Sequence, residues 1–206
     1  MANVAYNNIV EFVNSGIKKA VKEHLILTNE FTELSFSPED VITVNMANEL
    51  KKLNAAYVYL EESMSKSQDP PKKRAPEEWG ENKRYDIVVR TSDSFPYAAI
   101  EVKNRVYNVS DKVTKDFKRI SFAVRSEKNE DSVFRMGVFA FYTVFDGSKS
   151  SDSKKESILN LYSNLEKELN EYRGSSKLDK ELIDPTVYPH DKSMVWGGGC
   201  FILSPP

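Results

Sequence analysis

Three residues in two neighbouring apolar stretches have the types and spacing for chemistry. Asp86 lies inside RYDIVVR (84–90), and Glu101 and Lys103 lie inside YAAIEVK (97–103). Tyr85, Ile87, Val88 and Val89 in the first and Ala98, Ala99, Ile100 and Val102 in the second predict central strands, with TSDSFP (91–96) as the turn between them. Side chains two apart on a strand share a face, so Glu101 and Lys103 point the same way. If the hairpin is centred between Asp93 and Ser94, facing residue numbers add to 187 and Asp86 lies opposite Glu101. Facing carboxylates repel across a sheet, and burying charge costs several kcal/mol unless it is paired. Lys103 neutralises part of that charge, and a divalent cation would neutralise more. Magnesium takes hard oxygen ligands from one or two carboxylates and keeps waters. Asp86 and Glu101 are the expected ligands of such an ion, Mg²⁺ or Mn²⁺, with a backbone carbonyl near Val102 and waters completing the site. A metal-bound water beside a lysine is an arrangement suited to phosphodiester cleavage. The plainer alternative is a set of edge-strand charges in solvent, with Lys103 merely pairing Glu101.

These strands need a frame. Ile9, Val13, Ile17 and Val21 recur at helical spacing and predict a helix over 6–24; Ile42, Met46, Leu50 and Leu53 predict another over 38–53. AYVYLEES (56–63) predicts a strand and the proline-rich 65–83 a long loop. Ser110 caps a predicted helix over 111–125, with Val113, Phe117, Ile120 and Val124 inward. The stretch 132–145 is apolar on both alternating faces, as in a strand covered on both sides. Ser153-Lys154-Lys155-Glu156 predicts a capping box opening a helix that stops at Gly174. Residues 175–194 read as loop and 195–203 as a last strand, with Gly197-Gly198-Gly199 as a tight bend before it. The order α-α-β-β-β-α-β-α-β predicts an α/β fold, a mixed central sheet flanked by helices.

The string R-Y-D-I-V-V, a spacer, then A-I-E-V-K resembles the core motif of the PD-(D/E)xK nuclease superfamily, the restriction-endonuclease-like fold. That family's αβββαβ core maps onto 38–53, 56–63, 84–90, 97–103, 111–125 and 132–145, so the resemblance covers about residues 38–145. The helix 6–24 and the segment 153–203 are additions. The family's usual proline before the aspartate is Tyr85 here. The resemblance implies a metal-dependent nuclease acting on nucleic acid, DNA ahead of RNA. It makes Asp86 and Glu101 metal ligands and Lys103 the catalytic lysine. It also implies an acidic residue from the first core helix. Glu39 and Glu49 both lie on or beside that helix's inward stripe; Glu39, near the helix start, matches the family's placement better, with Glu49 as the alternative. Glu61 on the first strand is a further candidate. A catalytically silent binding module for nucleic acid or protein is the competing reading.

Charge distribution points the same way. The net charge is −2, so the chain as a whole is no polyanion binder, but residues 101–125 alone carry a net +4. Lys112, Lys115 and Arg119 form a stripe apart from the apolar face of the predicted helix, suited to backbone phosphates. Asp116 lies among them, so an ion pair with Arg119 is the plainer alternative. Lys72, Lys73 and Arg74 could touch a phosphate from the loop. His24, His190 and Cys200 offer no zinc spacing, and no GxSxG or P-loop motif occurs. A length of 206 residues, 40% hydrophobic and 29% charged, fits one folded domain and excludes a disulfide scaffold or an acidic disordered tail. One cysteine and no signal-like start favour a cytoplasmic setting without a membrane. A homodimer is left open.

Overall fold

A computed structural model describes residues 6–30, 38–53, 56–64, 83–124, 134–188 and 192–206. The described residues form an α/β arrangement in the order α1 (Tyr6–Glu30), α2 (Pro38–Leu50), β1 (Ala56–Ser63), β2 (Arg84–Thr91), β3 (Pro96–Lys103), α3 (Asp111–Val124), β4 (Met136–Phe145), α4 (Ser151–Tyr172), β5 (Lys177–Val187) and β6 (Val195–Ser204). One six-stranded mixed sheet runs β1-β2-β3-β4-β6-β5. Only β3 and β4 are parallel, joined through α3; the other neighbours are antiparallel. The predicted loop over 65–83 falls almost wholly outside the described residues, as do Lys72, Lys73 and Arg74.

Two cores sandwich the sheet. Ile9, Val13 and Ile17 of α1 and Ile42, Met46 and Leu50 of α2 cover one face, over Ile87, Ile100, Val102 and Val138. Phe117 and Ile120 of α3 and Ile158, Leu161 and Leu165 of α4 cover the other, over Ala99, Phe139, Phe141 and Phe201. Strand β4 is buried at every position but its last, which explains its unbroken apolar sequence. The α1 and α2 backbones meet at Gly16, where a Cβ would strike the Met46 backbone. That close approach fixes α2, and with it the residues of its first turn.

The C-terminal third departs from expectation. Residues 177–187 form the edge strand β5, where a loop is predicted. Its charges mask it: Asp179, Lys180 and Glu181 are exposed, and an edge strand with one free side tolerates and is protected by charge. Pro185 sits where the register shifts between Ile183 and Thr186, a position without a ladder hydrogen bond to lose. Helix α4 begins earlier than its predicted capping box: Ser150 is the N-cap and its side chain accepts from the Ser153 N–H. The three glycines 197–199 are no bend; they lie within β6, opposite Phe141–Thr143. There the Tyr162 hydroxyl accepts from the Gly198 N–H at 2.7 Å and donates to the Ile183 carbonyl at 2.8 Å. A Cβ on Gly197 would overlap that hydroxyl.

Candidate functional site

The β2–β3 register follows the expected arithmetic: Ile87 pairs with Ile100, Val88 with Ala99 and Val89 with Ala98, each adding to 187. The bulge between Val89 and Arg90 lies on the turn side and leaves the pairs from Val89 to Ile87 in register. Asp86 itself does not continue the ladder. Tyr85 and Val88 join the core under α3 and α4, while Ile87 joins the opposite core, so strict alternation breaks at Asp86. On β1 the residue between the partners of Ile87 and Tyr85 is Glu61, held at φ 53°. Freed from the ladder, the Asp86 carboxylate takes the Val102 N–H through Oδ2 at 2.6 Å.

Glu101 and Lys103 point toward α3. Glu101 is fully buried. Its Oε2 accepts from Arg119 Nη2 at 2.7 Å, and its Oε1 has no hydrogen-bond partner. Arg119 Nη2 also reaches Asp116 Oδ1 at 2.6 Å. Lys103 Nζ lies 2.6 Å from Asp116 Oδ2 and 3.7 Å from Glu39 Oε1. Glu39, in the first turn of α2, also accepts from the Asn104 N–H at 3.4 Å. One cluster therefore gathers Glu39, Asp86, Glu101 and Asp116 around Lys103 and Arg119: four carboxyl groups against two cations.

The electrostatics follow from that count. Burial pushes the Asp86 carboxyl up to about 6, opposed by the Val102 N–H and reinforced by the charge of Glu39. Burial, then the charge of Asp86, raises Glu101 well above the usual carboxylate range, and Arg119 only partly offsets this. For Lys103 burial opposes the charge, but Asp116, Glu39 and Asp86 outweigh it and the ammonium is held more firmly than usual.

The structure separates the two helix glutamates. Glu39 joins the cluster; Glu49 does not. Glu49 is buried between α1 and α2, where it meets Lys19, Lys52 and the Ser15 hydroxyl. Lys19, then Lys52, holds its carboxyl down at about 2. Its contribution to stability is complete above its ordinary value of 4.5 and is lost as pH falls toward about 2. Glu49→Gln is thus expected to lower the melting temperature at pH 7, the gap from wild type closing in acid, with cluster properties unchanged. Melting curves across that pH range check it.

Arg119 also departs from expectation. Lys112 and Lys115 of the predicted stripe are exposed, but Arg119 turns inward to Glu101 and Asp116. Two opposed buried carboxylates outcompete water for a guanidinium that can reach them. Asp116, read from sequence only as an alternative ion-pair partner, is the bridge between both cations. The signal for it was its place beside Phe117 on the inner side of the helix that follows Lys103.

No family model, curated protein or solved structure matches this chain. Among the described residues no three His, Cys, Asp or Glu side chains stand together as a metal-binding group. Asp86 lies near enough for its charge to act on Glu101, and magnesium needs no more than one or two carboxylates. The buried, unpartnered Oε1 of Glu101 fits such an ion. Among the described residues no helix is long and apolar enough to cross a membrane.

Proposed function

We propose that this protein is a metal-dependent nuclease that hydrolyses nucleic-acid phosphodiester bonds, with DNA as substrate ahead of RNA on the resemblance of its Asp86–Glu101–Lys103 spacing. The observation that carries the reading is the buried cluster with an excess of carboxylates and an unsatisfied Glu101 oxygen. Charge of that kind is costly in a core and is retained where a cationic ligand uses it. Asp86 and Glu101, with the Val102 carbonyl, would hold Mg²⁺ or Mn²⁺. Such an ion, when bound, polarises a phosphoryl oxygen and acidifies a bound water. Lys103 carries a fixed positive charge toward oxygens that become more negative in the transition state. Asp116 and Glu39 orient its ammonium, and Arg119 fixes the Glu101 Oε2 and offsets part of the effect of burial on that carboxyl. Lys112 and Lys115 meet backbone phosphates away from the reacting one.

A second reading is a silent binding module in which the cluster is an ion network only. The Arg119 guanidinium on Glu101 favours it. Assays on single-stranded, duplex and branched DNA and on RNA, with Mg²⁺, Mn²⁺ or EDTA, separate the two. The nuclease reading expects metal-dependent cleavage. It also expects calorimetric Mn²⁺ binding by wild type that Asp86→Asn loses. Nucleic-acid binding without cleavage in any metal, or equal Mn²⁺ binding by both proteins, goes against it.

A further inference from the structure

Among the described residues, three non-glycine residues have positive φ: Ser94 in the β2–β3 turn, and Glu61 and Arg105, which flank the cluster. Glu61 acts on Asp86 through its charge. Arg105, at φ 51°, follows Lys103 by two residues. The left-handed region disfavours an L side chain and suits glycine, so an arginine held there needs a reason. Its neighbours leave the backbone no freedom. The Asn104 N–H donates to Glu39 Oε2 at 3.4 Å, and the Val106 N–H donates to the Tyr142 carbonyl at 3.0 Å, with Val106 buried. The Arg105 side chain is exposed and makes no hydrogen bond or ion pair with the described residues, while its charge reaches the Tyr142 and Tyr188 hydroxyls. Tyr107 is 50% exposed, its ring fixed edge-on against Phe145 at 5.7 Å. The segment thus presents one cation and one aromatic ring outward from a pinned backbone, with exposed Lys112 and Lys115 following on α3.

We propose that Arg105 and Tyr107 clamp a single nucleic-acid strand beside the cluster, Arg105 on a backbone phosphate and Tyr107 stacked on an unpaired base. Two residues of chain span at most about 7 Å and four about 14 Å. At roughly 3.4 Å per stacked nucleotide, the Cα atoms of both residues lie within about four steps of the Lys103 Cα. Cationic and aromatic groups in alternation suit an unpaired strand, since every base has a face to stack while duplex bases are closed. The clamp rests on the nuclease reading and names the form of substrate it takes.

The test is fluorescence anisotropy in EDTA, with the full chain and a fluorescein-labelled oligothymidine or a labelled duplex. Arg105→Ala is expected to flatten the log–log salt slope for the single strand by about 0.7. Tyr107→Ala is expected to weaken oligothymidine about tenfold and leave the duplex unchanged, with Tyr107→Phe restoring wild-type binding. Arg105→Gly relieves the backbone, so it should melt higher than wild type while binding as weakly as Arg105→Ala. Unchanged slope and affinity in these variants overturn the clamp, as does an equal loss on both probes. If those variants are unchanged while wild type still cleaves with Mg²⁺, the clamp alone fails. If wild type binds neither probe, the clamp and the nuclease reading fall together.

Discussion

Lys103→Ala is expected to lower single-turnover cleavage by roughly 10²–10³-fold, the usual cost of deleting one charge-stabilising group, while leaving affinity for uncleaved DNA close to wild type. The ammonium is buried, 2.6 Å from Asp116 and 3.7 Å from Glu39, and it lies on the strand that carries Glu101. A group that acts on charge developing in the transition state lowers turnover more than binding. Asp116→Asn gives a graded companion. It leaves Lys103 in place but removes the strongest of the effects that raise its pKa. Lys103 should then lose its proton at lower pH than in wild type, bringing a falling alkaline limb of the rate profile into view. Lys112→Ala with Lys115→Ala should do the reverse of Lys103→Ala, flattening the salt dependence of binding by nearly one unit per lost phosphate contact. The measurements are binding in Ca²⁺ across a salt series and single-turnover rates in Mg²⁺ across pH, with melting curves to confirm folding. Wild-type cleavage by Lys103→Ala would mean that the lysine only neutralises Asp116, and the nuclease reading would fail.

The hairpin that carries this lysine was legible because strand pairing is an arithmetic constraint. Once the turn is placed, Val88–Ala99 and Ile87–Ile100 follow, and the one bulge falls at Val89/Arg90 where it does no harm. Helix α2 was legible from the spacing of Ile42, Met46 and Leu50, but the choice between Glu39 and Glu49 was not fixed by it. Both lie near one face, and the tertiary contact with α1 brings Lys19 onto Glu49, joining its sequence neighbour Lys52. Arg119 misled for a related reason. Helical position gives direction, not reach, and a long side chain beside Lys112 and Lys115 can still fold its guanidinium back onto Glu101. Strand β5 was hidden because an edge strand has few apolar residues to betray it. The break in alternation at Asp86 depends on the conformation of Glu61 on another strand, which no pattern within RYDIVVR records.

Asp86→Asn is expected to make the metal-free protein more stable at neutral pH while removing its Mn²⁺ binding. Folding lifts the Asp86 carboxyl from 3.8 to about 6, chiefly through burial. Between those values the folded chain holds a proton that the unfolded chain has released, so stability falls as pH rises through that window and stays lower above it. Two units at about 1.4 kcal/mol each set an upper bound of about 3 kcal/mol, and partial exposure of the side chain reduces it. A gain of about 1–2 kcal/mol in Asp86→Asn at pH 7–8 follows, worth roughly 2–8 °C in a chain of this size. The asparagine carbonyl can still accept from the Val102 N–H, so the shape of the site is kept. In EDTA the gain should shrink as pH is lowered and vanish below about 4, where the wild-type aspartate is neutral in both states. Adding Mn²⁺ should reverse the order of the two proteins, since only wild type gains by mass action. A variant that is instead less stable at pH 7 would show that the ionised aspartate is a satisfied part of the core. The carboxylate excess would then be internally balanced, and the silent binding module would be the better reading of this cluster.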